Sequence, residues 1–243
     1  MIEVLVVCEG QTEREFCKTV IASHLATRGI HFAGTLAGKA GKKRPGIGTW
    51  QLYRKEIRRH AARQERHVGM LVDYYGMPQS WPGRMNAPNQ AIDNRGQYVE
   101  QSLREDLSEL AGRFHPCVAL HEFESLLFVD HEATALSLSI AEGCFDEETV
   151  RARGAELARI KDGVQDHVER INDSYHTKPS KRIDELFSAY DKAFGGIEAA
   201  RAAGLSSLHA GCPWLDRWLR TLESLGKNAR DGNAPATEKP NTP

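Results

Sequence analysis

Five carboxylates carry the chemistry this sequence could do: Glu9, Glu13, Asp73, Glu122 and Glu124. Glu9 and Glu13 stand four residues apart in VVCEGQTEREF, so both can lean across one helical turn toward the same point. Asp73 closes an apolar run in LVDYYG, and Glu122 and Glu124 follow another in HEFESLLF. Carboxylates converging at ~3–4 Å repel strongly and need a compensating cation, and hard oxygen donors select Mg²⁺, Mn²⁺ or Ca²⁺. Two such ions can stabilise the attacking and the leaving oxygen of a phosphodiester displacement. Each acid also has a plainer reading. Glu9 would be a carboxylate favoured by a helix N-terminus, Glu13 an exposed helix acid, Asp73 a turn cap, and Glu122 and Glu124 helix-start acids. His121 reads as a packed or supporting residue rather than a ligand.

The elements that must position these acids alternate. Glu3 to Cys8 is a nearly continuous apolar run, as in a parallel strand buried on both faces. A turn at Glu9-Gly10-Gln11 leads into a helix from Thr12 to about Arg28, with Thr12 and Glu15 spaced as a capping box. A second strand covers His31 to Leu36, and the glycine-rich stretch from Gly38 to Gly48 is a loop. Trp50 to Arg66 is helical, His67 to Val72 a strand, and Tyr74 to Asn89 a Pro/Gly/Asn-rich loop. Asp93 to Arg113 is an amphipathic helix, Pro116 to Leu120 a fourth strand, and His121 to Phe128 starts a helix. This order predicts an α/β fold, a Rossmann-like, mostly parallel sheet with helices on both faces. Functional groups in such sheets gather at the carboxyl ends of the strands. Glu9, Asp73 and Glu122 each fall at, or within two residues of, such an end. Beyond 130 the pattern turns helical, at Asp146 to Asn172, Ile183 to Tyr190 and Trp214 to Leu225. We therefore expect an α/β domain over 1–130, a helical region over 131–225 packed on it, and a disordered tail over 226–243.

The 243 residues carry a net charge of −1 and are 40% hydrophobic. That excludes a uniformly basic nucleic-acid binder and global disorder. Neither an 18-residue apolar run nor a basic, apolar leader is present, so the expectation is a cytoplasmic protein with no membrane partner. Five cysteines without a CxxC argue against a disulfide framework or a zinc–cysteine site.

Charge is segregated. Lys39 to Arg66 holds ten Lys or Arg and two acids, whereas Phe114 to Val150 holds eight acids and no Lys or Arg. A polyanion could lie on the first block, with Arg54, Arg58 and Arg59 as contacts, while the second holds metal ions. A solvated helix face explains the basic block equally well. Thr177-Lys178-Pro179-Ser180-Lys181-Arg182 is a compact basic turn entering a helix, suited to a phosphate at Lys178, Lys181 and Arg182 or simply to an ordinary helix start. Gly38 to Lys43 lacks GxxxxGK[ST] and is not a P-loop.

Cys8-Glu9-Gly10 resembles the first element of the Toprim superfold, a glutamate after the first strand, and Asp73 sits where that fold begins a DxD. Glu9 with Glu13 resembles the ExxxE of the overcoming-lysogenization-defect nucleases. More narrowly, VVCEGQTEREF, LVDYYGMP, HEFESLLF and TKPSKRI together are similar to a bacterial Toprim-like family of unknown function over roughly residues 1–190. Members often stand beside an ABC-type ATPase in the genome. The resemblance implies Mg²⁺ or Mn²⁺ chemistry on DNA or RNA and an ATPase partner, as in an anti-phage defence system. One position departs: the second aspartate of the DxD is Tyr75.

The expectation is a metal-dependent nuclease. Glu9 would be the central ligand or acid–base group, Asp73 the main metal carboxylate, and Glu13 with Glu122 or Glu124 would complete the site. Lys181, also placed among the catalytic residues, would hold phosphate with Lys178 and Arg182. Two rival readings are a catalytically degenerate binding subunit that regulates an ATPase, favoured by Tyr75, and a small-molecule phosphohydrolase.

Overall fold

A computed structural model of the chain describes residues 1–38, 47–120, 122–165, 167–171, 177–192 and 194–231. The basic stretch from Lys39 to Arg44, and His121, lie outside them. Four strands, β1 (Ile2–Cys8), β2 (Ile30–Leu36), β3 (Arg66–Asp73) and β4 (Phe114–Ala119), form one sheet in the order β2-β1-β3-β4. Every pairing is parallel. This is the expected Rossmann-like α/β sheet.

Strand alternation divides the core in two. Val4, Val6, Cys8, Leu71 and Cys117 face one side and pack with Phe16, Ile21 and Leu25, and with Trp214, Trp218 and Leu222. Val7, Val68, Met70, Val72 and Val118 face the other and pack with Trp50, Tyr53 and Ile57, and with Val99 and Leu103. Helices thus cover both faces, which is why the strands read as nearly unbroken apolar runs.

On the first face lie α1 (Gln11–Phe16), a π-helical turn (Cys17–Ile21) and α2 (Ala22–Ala26). α9 (Pro213–Asp231) joins them there. On the second lie α3 (Trp50–Ala61) and α4 (Arg95–Asp106). The remaining helices are α5 (His131–Ala141), α6 (Glu147–Asp162), α7 (Pro179–Leu186) and α8 (Gly195–Gly211).

Several boundaries differ from the sequence reading. The first helix begins one residue earlier, capped by Gly10, whose N–H donates to Glu13 Oε2 at 3.0 Å; Thr12 and Glu15 do not form the box. The fourth strand spans Phe114–Ala119, the helix after Asp146 stops at Asp162, and Phe123–Phe128 is 3-10 rather than α. α5 and α8 escaped the reading. α5 carries no charge after Glu132 and mixes Thr and Ser with its apolar residues, and α8 is broken at Gly204, whose φ of 78° is left-handed, so neither shows a clean stripe. α9 runs to Asp231, past the expected tail start at 226; residues 232–243 lie outside the described set.

Candidate functional site

The carboxyl ends of β1 and β3 are adjacent strand ends, and that adjacency brings Glu9 to Asp73. Glu9 follows β1, and its N–H still pairs with the sheet, donating to Leu71 O at 3.1 Å. Its Oε2 accepts the Asp73 N–H at 2.9 Å. Asp73 in turn uses Oδ1 to accept the Tyr75 N–H at 2.9 Å, turning the chain sharply after β3. The other two oxygens, Glu9 Oε1 and Asp73 Oδ2, take no hydrogen bond among the described residues. Gly76 lets the turn pass close by: a Cβ there would lie 3.3 Å from Glu9 Oε1.

The electrostatics are those of a crowded anionic cleft. Burial, then the Glu9 charge, pushes the Asp73 carboxyl up to about 8. Burial is also the main cause that raises Glu9, and Glu13 and Glu122 add to it by repulsion. Both acids sit where ionisation is disfavoured without an added positive charge.

Glu122 and Glu124 approach from beyond β4. Glu122 accepts from Lys178 Nζ at 2.9 Å and from the Ser180 N–H at 3.1 Å. Burial alone would raise it, but Lys178 and Ser180 outweigh burial and hold it below the usual range. The N-terminus of α7, read from sequence as a phosphate seat, therefore holds the Glu122 carboxylate. Glu124 is fully buried within Phe123–Phe128 and pairs with Lys192 Nζ at 2.8 Å, while Tyr190 Oη donates to its Oε1 at 3.4 Å. Burial raises its pKa, and Lys192 opposes that.

Lys192 was absent from the sequence reading. Its charge acts on Glu9, Asp73, Glu122, Glu124 and Glu13 together. Burial alone would make it easier to deprotonate, but Glu124, with Glu13 and Glu122, holds it charged. It lies on the connection between α7 and α8, far in sequence from any strand end, so strand-end logic passes over it. The excess of acids, which demands a cation, was the one available signal.

The other basic candidates are engaged elsewhere. Lys181 pairs with Asp184 at 3.0 Å on the surface, and Arg182 Nε donates to Thr177 O at 2.7 Å. On α3, Arg54 pairs with Asp106 at 3.1 Å, Arg58 Nε donates to Glu109 at 2.7 Å, and Arg59 pairs with Glu56. Three of the positive charges on that helix are thus locally offset. Tyr75 is 45% exposed, with its ring edge-on to Tyr74. The segment after it is pinned: Arg84 donates to both Tyr74 O and Tyr74 Oη at 3.1 Å, and Trp81, 2% exposed, donates to Gly48 O at 3.1 Å.

Among the described residues, no group of three or more His, Cys, Asp or Glu side chains stands arranged to hold a metal ion. The donors present still fit one. Mg²⁺ is usually held by one or two carboxylates, with water and substrate phosphate completing the shell. Glu9 and Asp73 offer such a pair, with two open oxygens in a place where negative charge is penalised.

Fold and site together define an α/β protein whose acids collect at the carboxyl end of a four-stranded parallel sheet. The chain belongs to the family described as Domain of unknown function (DUF4276), whose model matches residues 8–223. It is also similar to GTP 3',8-cyclase of Bradyrhizobium diazoefficiens, 39% identical over 75 residues. That match covers 30% of this chain and 22% of the cyclase, so the chain spans about a fifth of that relative's length. No solved structure matches the chain. Among the described residues, no helix is long and apolar enough to cross a membrane.

Proposed function

We propose that the protein is a divalent-metal-dependent phosphodiesterase acting on DNA or RNA. The observation that supports this most is the hydrogen-bonded Glu9–Asp73 pair, with one open oxygen on each acid, at the carboxyl end of a parallel sheet. Glu9 and Asp73 would hold Mg²⁺ or Mn²⁺. The bound ion would supply Lewis-acid polarisation of a phosphoryl oxygen and a more acidic water. The chain's own residues would do the rest. The Asp73 N–H fixes the Glu9 carboxylate in place, and the Tyr75 N–H fixes that of Asp73. Glu122 holds Lys178 beside the cluster. Lys192, on a flexible stem and 43% exposed, can exchange part of its carboxylate contact for a substrate phosphate. Glu13, whose Oε2 accepts the Gly10 N–H, would add to the negative field around Glu9 that the ion offsets. The Toprim-like resemblance agrees with this reading, and through it an ABC-type ATPase is the expected partner.

A second reading has its own support. Tyr75 replaces the carboxylate that would complete a DxD, and a binding subunit on the same fold would tolerate that. One experiment separates the two. Purified wild type, Glu9→Gln and Asp73→Asn are incubated with plasmid DNA and structured RNA in Mn²⁺ or Mg²⁺. Cleavage by wild type that falls about a hundredfold or more in both folded variants supports the phosphodiesterase. No cleavage by wild type under any of these conditions favours the binding subunit.

A further inference from the structure

α5 and α6 flank an open groove of about 610 Å³, lined mainly by Ala135, Leu136, Ile140, Phe145, Val150 and Gly154. None of Glu9, Asp73, Glu122, Glu124 or Lys192 lines it, so it is separate from the acid cluster. Three large apolar residues stand open there: Leu136 at 53%, Ile140 at 51% and Phe145 at 75% exposure. Leu136 and Ile140 are one helical turn apart and share a face of α5. The opposite side of α5 is spent on the core through Leu138. A helix that is apolar on both sides is built to be covered on both sides. Singly scattered exposed apolar residues need no explanation, but three around one groove mark an interaction site.

The charge around the groove selects what covers it. From Asp130 to Val150 the chain has no Lys or Arg. Glu132 and Glu147 line the groove and Glu148 adjoins it; all three are exposed and lack an ion-pair partner among the described residues, against a single lining arginine, Arg151. A second copy would face these acids with the same acids across a two-fold contact, which repels. Nor does the chain offer an insert of its own. The apolar faces of α3 and α9 are already in the core, and residues 232–243 contain no large apolar side chain.

We propose that this groove docks an amphipathic helix of another protein, carrying apolar anchors one turn apart and flanked by Lys or Arg. Such helices lie in grooves through anchors at i and i+3 or i+4. Leu136, Ile140 and Phe145 supply the apolar contact, and Glu132, Glu147 and Glu148 fix orientation and favour a basic partner.

The test uses the full chain and three synthetic helical peptides: one with Leu and Phe anchors and flanking lysines, the same peptide with glutamates, and a scrambled lysine version. Binding is read by fluorescence anisotropy at low and high salt. The lysine peptide should bind at least about tenfold more tightly than the other two and weaken as salt rises. Leu136→Asp or Phe145→Ser should reduce binding about tenfold or more, with the melting temperature unchanged because both side chains are exposed. Glu132→Lys with Glu147→Lys should move the preference toward the glutamate peptide, a gain that misfolding cannot mimic. The proposal is overturned if the three peptides bind alike or not at all, or if Leu136→Asp leaves binding intact. It is equally overturned if sedimentation shows that wild type self-associates and Phe145→Ser abolishes this, which would make a second copy the occupant.

Discussion

The two ends of the same parallel sheet treat charge in opposite ways. At the amino end, Glu3 accepts from Arg66 at 2.7 Å and from Arg63 at 3.3 Å, and these arginines hold it below the usual carboxylate range. Arg113 spans the carbonyls of Ala61, Arg63, Gln64 and Arg66. His67 Nδ1 and His115 Nε2 lie 2.9 Å apart with stacked rings, and burial lowers the pKa of both. At the carboxyl end, Glu9 and Asp73 touch and both are pushed up toward neutrality. The first end uses charge to close the structure. The second keeps charge under strain, the usual signature of a site whose ligand supplies the missing sign.

The comparison breaks most readily at Asp73. Asp73→Asn keeps the shape but removes a carboxyl that the metal-free fold must protonate at neutral pH. Metal-free protein should gain about 1–2 kcal/mol at neutral pH, roughly 2–4 °C of melting temperature for each kcal/mol, while losing activity and divalent-cation binding. A stabilising change that kills function would separate this acid from structural ones. Thermal melts with and without Mn²⁺ provide the check, and Mn²⁺ should raise the melting temperature of wild type but not of Asp73→Asn.

Dependence on pH sharpens the contrast. Asp73 titrates near 8 in the folded chain, above its ordinary value of 3.8, so the folded state binds the proton more tightly. Without metal, stability should therefore fall as pH rises from about 4 to 8, and Asp73→Asn should flatten that slope. His115 runs the other way. Burial, with His67 and Arg104 nearby, pushes it down to about 4 from 6.5, so the unfolded chain binds its proton first. Its contribution is present above 6.5 and is lost as pH falls toward 4. Denaturant midpoints across pH 4–8, with His115→Gln as the second variant, resolve the two slopes.

The smallest expected effect lies at the amino end. The Glu3 side chain is about a third exposed and its partner Arg63 lies at the surface, so Glu3→Gln should cost no more than about 1 kcal/mol, fading as salt rises. A larger loss would mean that this end, too, depends on more than surface pairing.

Much of this contrast was legible in the sequence at one end and little at the other. Glu9 and Asp73 stood out because buried parallel strands read as nearly unbroken apolar runs, and each acid closes one. Their adjacency followed once β1 and β3 paired. Lys192 did not stand out, because it lies on a helix connection and meets the acids only through tertiary packing. The pairing of Arg54 and Arg58 was equally hidden, since Asp106 and Glu109 lie about 50 residues away in sequence, whereas Arg59–Glu56 is a local pair within α3. The same holds for α5, whose apolar surface has no single period because one side meets the core and the other lines the groove.

The most direct measurement is an anomalous difference map from crystals soaked in Mn²⁺. A peak about 2.0–2.6 Å from carboxylate oxygens of both Glu9 and Asp73 is the result this account predicts, with the peak lost in Asp73→Asn crystals. Well-ordered Glu9 and Asp73 with no peak between them, or a peak only at surface acids such as Glu147, would contradict it.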